Sequence, residues 1–233
     1  MQSTVFASNA HLADIDALVA SRSLLLHPFY QAWNRGELSP GALRDYARQY
    51  YRHVSAFPTY LSAAHSRTED PAARRHILSN LIDEEAGDPN HPELWLRFAE
   101  GVGTTREEVS AAETRPETTN LVNTLRDICG NRSTAEALAA LYAYESQIPA
   151  VSESKIRGLE TFYGIRDGES LAYFRVHIEA DREHSSVERH LLESYVNDEN
   201  APVVTQAVRE TLDALWGILS GVCCQVPFDH ITA

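Results

Sequence analysis

The sequence predicts an all-α protein, a bundle of about seven or eight helices. Three observations carry this. Apolar residues recur at three- and four-residue spacing along nearly the whole chain of 233 residues. No apolar–polar alternation runs long enough for a strand, and no Asn-Gly or Asp-Gly turn joins β-rich runs. Proline, glycine and short capping residues cut the pattern at intervals that suit bundle helices.

The elements follow in order. From His11 to Arg35, residues Leu12, Ile15, Leu18, Val19, Leu25 and Leu26 keep a helical period, and Gly36 stands where a helix would stop. Ser39 caps the next helix with Pro40 in its first turn; it runs to about Arg67, and Pro58 inside it is expected to kink it. Asp70-Pro71 opens a third helix that ends at Glu85, where GDPNHP breaks the pattern. ELWLRFAEGVG resumes helix. A short helix over 104–109 starts on Thr105 and Glu108, the spacing of a capping box. Glu117 to Cys129, Ser133 to Tyr163 with Pro149 inside, Asp167 to Asn197, and Pro202 to Val222 complete the set. The short connections offer no boundary, so one domain over 1–233 is expected, with a loose tail from about residue 226.

Composition narrows the function classes. Hydrophobic residues make up 43% and charged residues 23%, ordinary for a globular chain. A net charge of −13 repels a phosphate backbone, and no basic run offsets it, so nucleic acid is not an expected partner. No apolar run is long enough to cross a bilayer, and the N-terminus lacks the pattern of a secretory signal, which makes a cytoplasmic location the expectation. Cys129, Cys223 and Cys224 are too few and badly spaced for a disulfide framework; reduced thiols are expected.

Three stretches could carry chemistry. In HIEADREH, residues His177, Asp181 and His184 fall on one helix face, and imidazole with carboxylate suits iron, manganese or zinc. Glu84 and His91 flank the GDPNHP break, so they would come from a helix end and the turn after it. Glu145 lies in ALYAYESQIP, an apolar helix in which an acid needs a partner or a cation. The ring of Pro149 crowds the carbonyl of Glu145, so the helix should be distorted there. Taken singly, the first two stretches read more readily as solvated polar surface, and the distortion at Glu145 reads also as a plain kink. Together, three carboxylates and three histidines suffice for two metal ions in a bundle, though not in the ferritin-like pattern of two Glu-x-x-His motifs. His190 is expected to be a surface histidine. Among ten tyrosines, Tyr144 beside Glu145 is the one that local sequence suggests for redox work.

The stretches HPFYQAW, YYRHVSAFPTYLSAAHSR, DEEAGDPNHPELW, ALYAYESQIP, KIRGL and YFRVHIEADREH together resemble the CADD family, the chlamydial proteins associating with death domains. The resemblance runs from about residue 20 to residue 220 with no large gap, within the wider haem-oxygenase-like group that includes the TenA thiaminases and the pyrroloquinoline quinone synthase. It implies a bundle of about seven helices and a dimetal site, Fe/Fe or Mn/Fe, held by Glu84, His91, Glu145, His177, Asp181 and His184. It also implies a role in p-aminobenzoate formation for folate, with O2 as cosubstrate and an external reductant. The ring would come in a single turnover from the chain's own tyrosine, matching Tyr30, and the amino group from a lysine matching Lys155. A homodimer is the expected assembly. The family's name reflects a death-domain interaction for which no motif here accounts. Two alternatives stay open: a dimetal oxidase acting on an external small molecule, and a metal-free interaction protein of the same fold. A TenA-like thiaminase would need a pocket cysteine, for which only Cys129 is a candidate.

Overall fold

A computed structural model describes residues 10–223. Every regular element among them is helical. They are α1 (Ala10–Ser21), α2 (Pro28–Trp33), α3 (Pro40–Arg67), α4 (Pro71–Glu85), α5 (His91–Gly101), α6 (Arg106–Ala111), α7 (Pro116–Asn131), α8 (Thr134–Glu145), α9 (Ile148–Phe162), α10 (Gly168–Tyr195) and α11 (Ala201–Cys223). A short 3-10 turn, Leu24–Leu26, precedes α2. Cys224 and the tail expected from about residue 226 lie outside the described residues.

The helix count exceeds the expected seven or eight because the short helix α6 is counted with the rest and two predicted helices are each divided near a proline. The stretch from His11 to Arg35 is three pieces. Pro28 holds His27 extended, at φ −67° and ψ 139°. The freed His27 side chain then caps α2, its Nδ1 accepting from the Phe29 amide at 3.0 Å. Gly36, at φ +69°, belongs to the turn after α2, and Phe162 fills the space where a Cβ would stand. The stretch from Ser133 to Tyr163 divides into α8 and α9, and Pro149 falls in the first turn of α9, where its missing N–H costs nothing. Pro58 does not interrupt its helix, and α3 runs unbroken through it.

The other boundaries obey local chemistry. Ser39, Asp70, Asn90 and Asp167 each accept backbone N–H groups as N-caps. Thr105 and Ser133 both form full capping boxes. The two 28-residue helices, α3 and α10, are the long members of the bundle. α10 packs against α5, α8 and α9, while α3 packs against α4, α5 and α7, and α11 covers α7 and α8. Trp33, Trp95, Tyr30, Tyr46, Phe29 and Phe98 are fully buried large side chains of this core. None of the described helices is long and apolar enough to cross a membrane.

Candidate metal centre

Helix α10 buries a stripe that is apolar at its N-terminal end and polar through its middle. Leu171, Tyr173 and Phe174 give way to His177, Asp181, His184 and Glu188 before Leu192 closes the stripe. All four polar members are buried, so this face of the helix points into the bundle. His190, on the same helix, falls outside that stripe and is exposed, as expected.

Glu84 reaches the same interior from the C-terminal turn of α4, and His91 from the first turn of α5, where the Asn90 cap orients the helix start. One ligand atom from each of Glu84, His91 and His177 lies within 4.8 Å of the others. His91 Nδ1 stands 3.0 Å from Glu84 Oε1, yet the alignment is not that of a hydrogen bond. His177 Nε2 is 3.7 Å from the same oxygen. The other ring nitrogen, His177 Nδ1, donates to the Tyr173 carbonyl at 2.6 Å. A carbonyl can only accept, so the proton sits on Nδ1 and the Nε2 lone pair faces Glu84 and His91. Burial alone would raise the Glu84 carboxyl, but the neighbouring imidazoles of His177 and His91 hold it down at about 2. Burial lowers the His177 imidazole despite Glu84, which favours the neutral, ligating form.

Glu145, the last residue of α8, and Asp181 lie deeper along the same interior. Asn80 Nδ2 donates to Glu145 Oε1 at 2.7 Å, whereas Glu145 Oε2 and Asp181 Oδ2 have no hydrogen-bond partner. Burial pushes both carboxyls well above the usual range, helped at Glu145 by the Glu188 charge and at Asp181 by the Glu145 charge. His184 Nε2 turns to Asp83 Oδ2 at 3.1 Å. The structure therefore brings all six sequence-predicted ligands into the bundle interior, with Glu84, His91 and His177 forming the tight group. Orphaned, buried carboxylate oxygens beside neutral imidazoles are what a site for hard-to-borderline divalent cations offers, and the residues fit iron or manganese.

Tyr30 and Lys155 meet in an adjoining aromatic box. Lys155 Nζ donates to the Tyr46 hydroxyl at 2.6 Å and lies 5.6 Å from the centre of the Tyr30 ring. The rings of Tyr46, Tyr50, Trp95 and Phe174 are as close, between 5.0 and 5.5 Å. With no acid among these neighbours, burial lowers the ammonium to about 7. Tyr30 and Tyr46 face each other through their hydroxyls at 3.4 Å. Burial raises the Tyr30 phenol well above its ordinary value, so it stays protonated. Tyr50 donates to the Tyr144 hydroxyl at 3.2 Å, one residue from Glu145, and the Tyr173 ring lies tilted by 32° against His177 with centroids 4.1 Å apart. The box and the candidate metal centre thus share a wall of tyrosines.

Several residues of this interior escaped the sequence reading. Glu188, His76 and Asn80 continue the helical periods of His184 and Glu84, a signal that exists but does not separate them from neighbouring surface acids. His53, buried with both ring nitrogens unpartnered and its ring against Tyr144 and Tyr50, had no signal at all. Cys129 is buried, and its thiol is pushed up to about 12 by burial and by Glu188 and Glu145, away from the thiolate form of a nucleophile.

Comparison with known proteins agrees with this geometry. A family model described as iron-containing redox enzyme matches residues 44–216. A 4-aminobenzoate synthase of Chlamydia pneumoniae is 45% identical over 206 residues, 88% of this chain and 92% of that protein. Among solved structures, a TenA homologue of Pseudomonas syringae superposes with a TM-score of 0.80 at 21% identity, covering 93% of this chain and 92% of that one. Haem oxygenase-1 of the cyanobacterium Synechocystis, solved in complex with haem, gives 0.64 at 13% identity, covering 91% and 90%. At such identities the two structures show the fold alone, which is haem-oxygenase-like. The match to the family model and the identity to the chlamydial enzyme go further: the chain belongs to the family of iron-containing redox enzymes.

Proposed function

We propose that this chain is a 4-aminobenzoate synthase that takes the aromatic ring of its product from its own Tyr30 and the amino nitrogen from Lys155, in one turnover. The observation that carries this reading is the amine of Lys155 buried without an acid partner at the ring of Tyr30, beside the carboxylate–imidazole centre. Similarity to the chlamydial 4-aminobenzoate synthase supports the product.

The product's skeleton maps onto tyrosine. Its ring is para-disubstituted, with one carbon on one side and nitrogen on the other. Cleavage at Cα–Cβ would leave that carbon, oxidised to the carboxylate at the expense of O2 and reductant, and nitrogen would replace the phenol oxygen, which leaves as water, with the Nζ–Cε bond of Lys155 broken. Glu84, His91 and His177 would hold one metal ion, and Glu145, Asp181 and His184 the second, as Fe/Fe or Mn/Fe. Bound and reduced by an external donor, such a pair supplies dioxygen activation. The protein's own contribution is placement. Tyr30 is kept protonated by burial, so oxidising it removes an electron and a proton together, and Tyr46 is the hydroxyl in reach of that proton. An amine lowered to about 7 is free in about half the molecules at neutral pH, and so available as a nucleophile. The aromatic walls exclude water from both groups.

The test uses protein made with ring-labelled tyrosine, loaded anaerobically with Fe(II) and Mn(II), then given O2 and reductant. Label in the released 4-aminobenzoate, at no more than one product per chain, with a matching mass loss at residue 30, is the expected result. Y30F should form no product while binding the same metal. Unlabelled product with repeated turnover would replace self-sacrifice by oxidation of an external small molecule. Wild-type protein that takes up no metal would leave only the metal-free reading.

A further inference from the structure

One turn beyond His184, α10 carries Glu188, whose side chain is completely buried. Both of its carboxylate oxygens lack a hydrogen-bond partner. The Glu145 carboxyl is within hydrogen-bonding reach of it. Among the described residues, the imidazole paired with it is that of His76, whose Nε2 stands 3.9 Å from Glu188 Oε1 and is itself unpartnered, on a side chain that is 9% exposed. Among the described residues, no Arg or Lys forms an ion pair with Glu188, Glu145 or Asp181.

Ionised carboxylates only accept, so Glu145 Oε2, Asp181 Oδ2 and the two oxygens of Glu188 cannot satisfy one another unless a proton or a cation comes between them. Ionised together they would be strongly unfavourable, since each ion would give up its water without gaining a counter-charge, and a bound cation supplies that counter-charge. The helix geometry shows where a cation would fit. His177, Asp181, His184 and Glu188 follow one another at steps of four, three and four, one face of α10. Facing them, α4 presents His76, Asn80 and Glu84 at steps of four, with Glu84 near His177, Asn80 on Glu145 and His76 near both His184 and Glu188. Charge points the same way. Glu84, Glu145 and Asp181 supply three negative charges against the four positive charges of two divalent ions, and Glu188 makes the count equal.

We propose that Glu188 is a further ligand of the metal centre, its fourth carboxylate, on the Glu145–Asp181 side. This deepens the two-metal reading above and rests on it.

The test compares wild type, Glu188→Gln and Glu188→Leu, with Glu183→Gln, an exposed acid on the same helix, as control. Metal-free proteins are titrated anaerobically with Fe(II) alone and with Mn(II) alone. Stoichiometry is read by calorimetry and elemental analysis, and folding by the thermal midpoint with and without metal. Wild type and the control should bind two equivalents. Both Glu188 variants should fold but bind the second equivalent at least about tenfold more weakly, with a smaller metal-induced rise in midpoint. An anomalous-scattering crystal structure of the Mn(II)-loaded wild type should place a Glu188 oxygen at bonding distance, about 2 Å, from one ion. Two equivalents bound by both variants at wild-type affinity, or Glu188 turned away from both ions, would overturn the proposal and leave the two-metal reading intact. A wild type that binds no metal would overturn both.

Discussion

Lys155 illustrates how a single residue is tuned by what it lacks. Its amine is enclosed by aromatic rings and one phenol, so desolvation alone lowers it to about 7 from an ordinary 10.5. The native state therefore releases this proton near pH 7, whereas the unfolded chain keeps it until about pH 10.5. Between those values the unfolded state binds more protons, and the contribution of this group to stability rises with pH. Lys155→Met removes the penalty. It should stabilise the protein at pH 6, and by about 2–3 kcal/mol less at pH 9, as read from chemical denaturation at the two pH values. An equal gain at both would mean that the amine is not titrating near 7. Product formation in wild type should climb through the same region as the free amine appears.

At the scale of elements, short junctions aim the chemistry. Asn90 caps α5 by accepting the Glu93 amide at 3.0 Å, and the next residue is His91. Asn90→Ala should cost about 1 kcal/mol and also weaken metal binding, because the helix start that points His91 at Glu84 would fray; denaturation and metal titration together check it. Where α9 crosses α2, Gly158 leaves room for Trp33, and a Cβ there would overlap the indole at Nε1. Trp33 Nε1 also donates to the Lys155 carbonyl at 3.3 Å, so this crossing fixes Lys155 relative to Tyr30 on α2. Gly158→Ala should destabilise by about 1–3 kcal/mol and reduce product per chain, measured by denaturation and by product quantitation. These junctions were partly legible beforehand. Caps and prolines act over three or four residues, so Asn90, Ser39 and Pro149 announce themselves, while the space that Gly158 yields to Trp33 depends on a helix more than a hundred residues away.

The whole molecule encloses a charge cluster that the bundle alone does not satisfy, which ties stability to metal. An ion that binds only the folded chain stabilises it by about 2.7 kcal/mol at a hundredfold excess over its Kd. For a chain of this size the thermal midpoint should rise by roughly 5–10 °C on anaerobic loading with Fe(II) or Mn(II), and fall back on chelation. An unchanged midpoint would contradict a metal centre in the core.

Most of the helices, their caps and the break at GDPNHP were determined by the sequence itself, because a helical period and a capping hydrogen bond are decided within a few neighbours. The six candidate ligands could be gathered as a set from residue type and spacing, but local sequence did not set them apart from solvated polar surface. The structure alone decided which polar groups are inside. Glu183 and Glu188 are the same residue on one helix, yet the first is exposed and the second wholly buried. Tyr30 and Tyr51 differ in the same way, one sealed against Lys155 and the other at the edge of the core. Burial is conferred by the helices that pack across a side chain, and these are brought together only when the chain has folded.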